Sequence, residues 1–177
     1  MSQYAAFLRG VNVGRNRRVS SAQLCEIYEE MGFTDVATFR TSGNVVFGGA
    51  KGPVGKLAER VEKGMAAALG WDVRVFLRTA DELRAIAAHE PFDRRSEGKM
   101  QVSLLDEKPP ASARNEVLAL ATDDDLLAFG ERELYWLPRG RTTESELDLN
   151  RIERLIGPTT RRTKGTIELL AEKFFQP

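Results

Sequence analysis

The chain has 177 residues, of which 42% are hydrophobic and 29% charged, and this excludes a disordered or collagen-like protein. Lys and Arg number 26 and Asp and Glu also number 26, which excludes a polycation built for bulk nucleic-acid binding. One cysteine cannot form an internal disulfide, and with one histidine there is little basis for a metal site. We therefore expect no metal and no cofactor.

Hydropathy and the start of the chain predict a cytoplasmic protein. No apolar run approaches the ~20 residues that a membrane span needs. The first residues lack the basic and long apolar regions of a signal peptide. We therefore expect a cytoplasmic location and no membrane partner.

Residues 1–78 predict the element order β-α-β-β-α-β, which is the split βαβ or ferredoxin-like pattern. Ser20 and Gln23 have the spacing of a capping box, so a helix begins there, and Gly32 ends it. The apolar spacing within Val54–Leu69 predicts a second helix that ends near Gly70. The predicted strands are Gln3–Leu8, Asp35–Arg40, Val45–Phe47 and Asp72–Arg78.

Residues 79–98 predict a connecting helix and loop, and residues 99–177 a second α+β half with a C-terminal helix. No direct sequence repeat links the halves. The predicted elements are the helix Thr79–Ala88, the strand Met100–Leu105, the helix Pro109–Ala121, the hairpin strands Leu126–Phe129 and Leu134–Leu137, and the helices Leu147–Ile156 and Thr163–Phe175. We expect an α+β fold of two ferredoxin-like halves, with mostly antiparallel sheets and helices packed on one face.

Two predicted loops, Gly10–Val19 and Thr41–Asn44, are expected to meet at one end of the first sheet. In the predicted order, strands one and two run the same way and strand three runs back, so both loops share an edge with the start of the first helix. The free N–H groups and dipole of a helix start favour an anion. The local charge agrees, because residues 1–18 carry four arginines and no acid.

The residue types in these loops suit phosphate. Arginine forks match phosphate oxygens, and glycines let the backbone approach them closely. The arginines are expected to hold oxygens, the asparagines to orient the ligand and the serine to donate a hydrogen bond, with two further arginines joining from a basic segment near the end of the chain. The candidate ligand-binding residues are Arg9, Gly10, Asn12, Gly14, Arg15, Arg40, Ser42, Gly43, Asn44, Arg161 and Arg162.

Three functions compete for these residues. The leading hypothesis is an anion-binding module for a phosphate-bearing ligand, either a nucleotide or a nucleic acid. The alternative is a structural or partner-binding module. In that module the basic ends of one copy meet the acidic residues 116–149 of another, forming a salt-sensitive oligomer with no small-molecule ligand. An enzyme stays open, although no titratable acid–base pair accompanies the loops.

Three motifs of the first half lie at Leu8–Gly14, Gly32–Val36 and Thr41–Phe47. They resemble the bacterial domain of unknown function 1697 family, and Glu90–Phe92 and Thr159–Arg161 look like later motifs of the same family. The resemblance covers nearly the whole chain. It implies a duplicated α+β architecture and no established activity.

Overall fold

The computed structural model of the protein describes residues 2–40, 43–93 and 97–177. The chain divides into two compact units: residues up to Arg84 with Leu170–Pro177 form the first, and Ala85–Leu169 form the second. The chain passes from the first unit to the second within helix α3 (Ala80–Ala88), between the predicted boundaries at residues 78 and 98. Within the described ranges, no helix is long and apolar enough to cross a membrane.

The first unit contains a four-stranded sheet with helices. Its elements are β1 (Tyr4–Arg9), α1 (Ser21–Glu30), β2 (Thr34–Thr38), β3 (Asn44–Gly48), α2 (Val54–Leu69) and β4 (Arg74–Thr79). The strand order is β2-β3-β1-β4, and β1 and β2 are both antiparallel to β3, so they run the same way. Each predicted strand of this half is present, with its ends shifted by one or two residues.

The core of the first unit lies between the sheet and the helices α1 and α2. Alternate residues of a strand point to one face, and along β1 the residues in this core are Tyr4, Ala6 and Leu8. The buried helix residues recur at the three- and four-residue spacing of a single helix face. They are Leu24, Ile27 and Tyr28 on α1, and Leu57, Val61 and Met65 on α2.

The start of α1 is fixed by the capping box that the sequence predicts. Gln23 N–H donates to Ser20 Oγ at 3.1 Å, and Ser20 N–H donates to Gln23 Oε1 at 2.9 Å. The first turn of α1 carries no acidic residue. The positive end of the helix therefore begins at a defined point beside the loop that follows β1.

The second unit repeats this plan. Its elements are β5 (Gln101–Leu104), α4 (Ala111–Leu118), β6 (Asp125–Phe129), β7 (Glu133–Pro138), a 3-10 turn (Thr142–Glu144), α5 (Leu149–Ile156) and β8 (Thr160–Thr163), followed by α6 (Lys164–Phe174). The strands form an antiparallel sheet in the order β6-β7-β5-β8. The predicted α+β fold is confirmed. The sequence did not predict β8, because its residues Thr-Arg-Arg-Thr lack apolar alternation.

The two units match in detail although their sequences show no direct repeat. Both β4 and β8 pair with the first strand of their sheet and end in an Arg-Thr dipeptide. Arg78 and Arg162 are buried, and each donates from Nη1 to the carbonyl of the preceding residue at 2.8 Å. Thr79 and Thr163 accept, through Oγ1, the N–H of the third residue beyond at 3.2 Å. The same junction of strand and helix is thus built twice.

Candidate functional site

The loop after β1 and the connection between β2 and β3 lie against each other at one edge of the first sheet. Leu8 N–H donates to the carbonyl of Gly43 at 2.8 Å. Gly43 has a φ of 76°, and a Cβ placed on it would lie 2.8 Å from Val11 Cγ2 and 3.1 Å from Leu8 Cβ. Glycine alone fits this approach. The structure therefore brings the two loops together as the topology of the predicted strands requires.

The loop after β1 is closed by its own hydrogen bonds. Asn12 N–H donates to the carbonyl of Arg17 at 2.6 Å, and Val19 N–H donates to Asn12 Oδ1 at 3.1 Å. Trp71 Nε1 donates to the carbonyl of Gly10 at 3.0 Å, which fixes the loop at its other end. Asn12 was expected to orient a ligand; its Oδ1 instead closes the loop.

Two clefts are lined by different residues of this loop. One has a volume of about 450 Å³ and is called the loop cleft; its lining is Arg9, Gly10, Val13, Gly14, Arg15, Asn16 and Arg17. The other has a volume of about 420 Å³ and is called the helix cleft because the first turn of α1 borders it. Its lining is Asn12, Arg18, Val19, Ser20, Ser21, Gln23, Leu24, Arg40 and Gly43.

The clefts divide residues that the sequence assigned to a single site. Arg9 and Arg40 were expected to hold oxygens of one ligand, yet Arg9 lines the loop cleft and Arg40 lines the helix cleft. Gly10, Gly14 and Arg15 accompany Arg9. The helix cleft instead combines both predicted loops with the start of α1, which is the arrangement that the charge argument requires.

Both clefts are basic. The guanidinium groups of Arg15, Arg17 and Arg18 are exposed and have no hydrogen bond or ion pair with the residues that the structure describes. Among those same residues, neither cleft is lined by an acid or a histidine. Arg40 stacks on its neighbour, with its guanidinium carbon 5.4 Å from the centre of the Phe39 ring. The charges of Arg15, Arg17 and Arg18 are therefore available to an anion from solvent.

Two residues of the helix cleft adopt left-handed backbone conformations that disfavour side chains. Asn12 has a φ of 53° and Arg40 a φ of 60°. Such conformations cost on the order of 1–3 kcal/mol and collect at binding sites, where the surrounding structure holds them. Asn12 comes from one loop and Arg40 from the other, so the strain occurs on both sides of the contact at Gly43.

Asn44, a predicted ligand contact of the β2–β3 connection, is not part of the described lining. Asn44 is fully buried, and its Nδ2 donates to the carbonyl of Phe39 at 2.8 Å. Its amide therefore stabilises the connection between β2 and β3. Ser42 lies outside the described residues.

Arg161 and Arg162, which were predicted to join the ligand site, lie on β8 in the second unit. Arg161 stacks over Trp136 at 5.1 Å, and burial lowers the pKa of its guanidinium. Arg162 is 9% exposed, donates to Thr160 Oγ1 at 2.9 Å, and burial lowers its pKa to about 10. Arg162 is thus a buried residue of the second sheet and is not free for a ligand.

A family model of proteins of unknown function, DUF1697, matches residues 1–135. The chain belongs to the DUF1697 family. The matched residues include every described residue of the loop cleft and the helix cleft, whereas the resembling motif at Thr159–Arg161 lies beyond them. No curated protein matches the chain.

The fold of this DUF1697 chain is shared by a solved structure, that of the conserved bacterial protein SP0830 from Streptococcus pneumoniae. The two chains are 21% identical, each is covered over 99% of its length, and the TM-score is 0.80. At this identity the likeness establishes the fold alone. Because the coverage is nearly complete, the shared fold extends through both units.

The sequence prediction missed two arginines of the clefts in this DUF1697 protein. Arg17 lines the loop cleft and Arg18 the helix cleft, but only their charge was noted. The signal was their position, since two consecutive arginines immediately before a helix cap must project near the helix start.

Cys25, one residue after the buried Leu24, has its pKa raised by burial and by Glu29, so its thiol stays protonated at neutral pH.

A cleft of about 770 Å³ in the second unit carries more acids than bases in its described lining. Asp124 pairs with Arg139 at 2.9 Å, while the buried Asp125 accepts through Oδ1 from Trp136 Nε1 at 2.7 Å and from Ser145 Oγ at 2.8 Å. Within residues 2–40, 43–93 and 97–177, no group of three His, Cys, Asp or Glu residues could hold a metal ion. The charged residues lining this cleft are Glu97, Asp124, Asp125, Arg139, Arg141, Glu144, Glu146 and Asp148.

Proposed function

We propose that the first unit is an anion-binding module for a phosphate-bearing ligand, a nucleotide or a nucleic acid, with the helix cleft as its primary site. The observation that carries the proposal is the lining of this cleft. Arg18 and Arg40 approach the amino end of α1 from two different loops, and no described lining residue is acidic.

The chemistry of the helix cleft suits phosphate in three ways. A guanidinium donates two parallel hydrogen bonds to phosphate oxygens. A helix leaves the N–H groups of its first turn without intrahelical partners, and Ser20 uses only that of Gln23, which leaves those of Ser21 and Ala22 for an anion. Among the described residues no acid lines the cleft, so no like charge opposes an anion there.

Titration calorimetry with inorganic pyrophosphate and with a nucleoside triphosphate tests the proposal. The protein is titrated at about 50 mM and about 200 mM salt, and affinity should fall as salt rises because the contacts are ionic. Arg18→Ala with Arg40→Ala should weaken binding by at least about tenfold, since each loses a hydrogen bond to a charged group.

A matched control removes two positive charges elsewhere in the same unit. Lys56 and Lys63 are exposed on α2, away from both linings, so Lys56→Ala with Lys63→Ala should leave affinity nearly unchanged. The nucleotide form of the proposal is wrong if neither ligand binds at low salt, and the helix cleft is not the site if the control pair weakens binding as much as the arginine pair.

A partner-binding module is the second candidate, and one observation favours it. The acidic cleft of the second unit is opposite in charge to the loop that carries Arg15–Arg18. Two copies could associate through these surfaces, and such association would weaken with salt. Light scattering at two salt concentrations separates the candidates, because a salt-sensitive dimer without phosphate affinity supports the second and a steady monomer counts against it.

A cytoplasmic location accompanies both candidates as a prediction. Fractionation of cells that produce the protein tests it.

A further inference from the structure

We infer that the phosphate-bearing ligand is a nucleic-acid duplex whose backbone lies across the loop after β1 and contacts the loop cleft and the helix cleft together. This inference rests on the proposed function and names the ligand class of that site. The observation that carries it is the presence of two separate arginine-lined clefts on one short loop.

The division of the arginines requires a ligand larger than one phosphate group. Arg17 lines one cleft and Arg18 the other, and their Cα atoms are about 3.8 Å apart along the chain. A mononucleotide held in the helix cleft leaves the arginines of the loop cleft unused. A chain of phosphates places negative charge at regular intervals, so it can occupy both clefts in one complex.

The loop is held in the shape that such contact needs. Its closing bonds, Asn12 to Arg17 and Val19 to Asn12, fix both ends of the segment that carries the arginines. Val13 is 63% exposed on this segment, so the loop projects into solvent. The loop projects and has arginines in both clefts, so it can lie against a phosphate backbone. Because the loop is already closed, binding loses little main-chain entropy.

The linings favour a duplex over a single strand. Proteins that bind single strands stack bases on aromatic side chains. Among the described residues, neither lining contains Phe, Tyr, Trp or His. A duplex covers its bases and presents phosphates, and contacts to phosphates position a protein without reading the sequence. We therefore expect binding that depends on salt and strandedness and hardly on base sequence.

The salt dependence of duplex binding measures how many phosphates each cleft contacts. The logarithm of the association constant falls with the logarithm of salt concentration by about 0.9 per phosphate contacted on duplex DNA. Loss of Arg15 and Arg17 should reduce that slope by about 2, and loss of Arg18 and Arg40 by a similar amount. The equality of the two reductions is specific to a ligand that spans both clefts.

The experiment uses the full chain with three probes: a duplex of about 12 base pairs, one of its single strands, and inorganic pyrophosphate. Four proteins are compared, namely the wild type, Arg15→Ala with Arg17→Ala, Arg18→Ala with Arg40→Ala, and the Lys56→Ala with Lys63→Ala control. Thermal melting establishes that each variant is folded, which is expected because the replaced loop arginines are exposed.

We expect the duplex to bind at least about tenfold more tightly than pyrophosphate, and both arginine pairs to weaken duplex binding. Pyrophosphate binding should depend on Arg18 and Arg40 alone. The inference is overturned, with the proposed function intact, if pyrophosphate binds but the duplex binds no better, if one arginine pair is without effect on the duplex, or if the single strand binds as tightly. Failure of all three probes at low salt overturns the proposed function itself.

Discussion

The same edge of the sheet is basic in the first unit, whereas in the second it carries an ion pair. In both, the residue near the end of the first strand donates its N–H to the hairpin beside it: Leu8 to Gly43 at 2.8 Å, and Leu105 to Arg132 at 2.9 Å. In the second unit, however, Lys108 pairs with Glu131 at 3.1 Å. The backbone arrangement is common to both edges, so the basic character of the edge is a property of one loop and not of the fold.

The loop lengths explain the difference. In the first unit Gly10–Ser20 joins β1 to α1, and in the second the shorter Leu105–Pro110 joins β5 to α4. The shorter loop contains Asp106 and Glu107, and α4 begins after Pro110 without a side-chain cap. Only the longer loop has room to close on Asn12 and to expose arginines. Four variants, two of them with a matched control, test this comparison.

The largest effect is expected where the loops of the first unit touch. Gly43→Ala should lower the free energy of unfolding by about 2–4 kcal/mol, because the new Cβ clashes with Val11 and Leu8 in a left-handed conformation. Urea unfolding measures the change. Gly14→Ala is the control: its φ is 63° but no atom lies within 4 Å, so it should lose only about 1 kcal/mol. Equal losses would contradict the close packing of the two loops.

In the second unit, Asp125 and Trp136 form a buried hydrogen bond, whereas the loop of the first unit exposes arginines. Asp125→Ala should lower the free energy of unfolding by about 1–3 kcal/mol, because it leaves the buried indole N–H of Trp136 without its acceptor. Chemical denaturation measures the loss. Asp124→Ala removes the neighbouring exposed ion pair with Arg139 and should cost at most about 1 kcal/mol. A larger loss for Asp124 would refute the assignment.

Each unit leaves one buried polar side-chain atom without a hydrogen-bond partner among the described residues, the Tyr28 hydroxyl in the first unit and Arg114 Nε in the second. The Tyr28 hydroxyl is buried and has no hydrogen-bond partner among the described residues. Tyr28→Phe should therefore raise the free energy of unfolding, by about 1 kcal/mol. Thermal denaturation measures the gain, and a loss of stability would mean that the hydroxyl has a partner.

Burial of Tyr28 predicts that the free energy of unfolding depends on pH. Burial raises the pKa of Tyr28 above its ordinary value of 10.0. The unfolded chain releases the Tyr28 proton near pH 10, while the folded chain retains it. The stability of the folded state is therefore fully present below pH 10, and the free energy of unfolding falls as pH rises beyond 10. The wild type should lose more stability than Tyr28→Phe between about pH 9 and 11. Parallel curves would exclude the effect.

The smallest effect is expected at the ion pair on this edge of the second unit. Lys108→Ala should change the free energy of unfolding by less than about 1 kcal/mol, because both partners of the pair with Glu131 are exposed to solvent. It should leave pyrophosphate binding unchanged. If this variant alters binding, the anion site is not confined to the first unit.

Much of the fold follows from the sequence because its signals are local. The capping box at Ser20 and Gln23 and the apolar spacing of α2 are read within a few residues. The polar strand β8 has no such signal, since its pairing with β5 and the burial of Arg162 depend on the assembled sheet. Whether a polar segment of this kind forms a strand depends on its tertiary contacts.

The candidate site was predictable in outline only. Topology predicts that the loops after β1 and β2 meet, because strand direction alone requires it. The role of Asn44 and the division of Arg9 and Arg40 between two clefts depend on side-chain packing and on loop closure, which no sequence spacing encodes.

The closure of the loop at Asn12 uses no side chain of Val13, Arg15 or Asn16. Its bonds run to the carbonyl of Arg17 and from the N–H of Val19, both main-chain groups. These three side chains can therefore be exchanged without loss of the closing bonds, whereas position 14, with a φ of 63°, favours glycine.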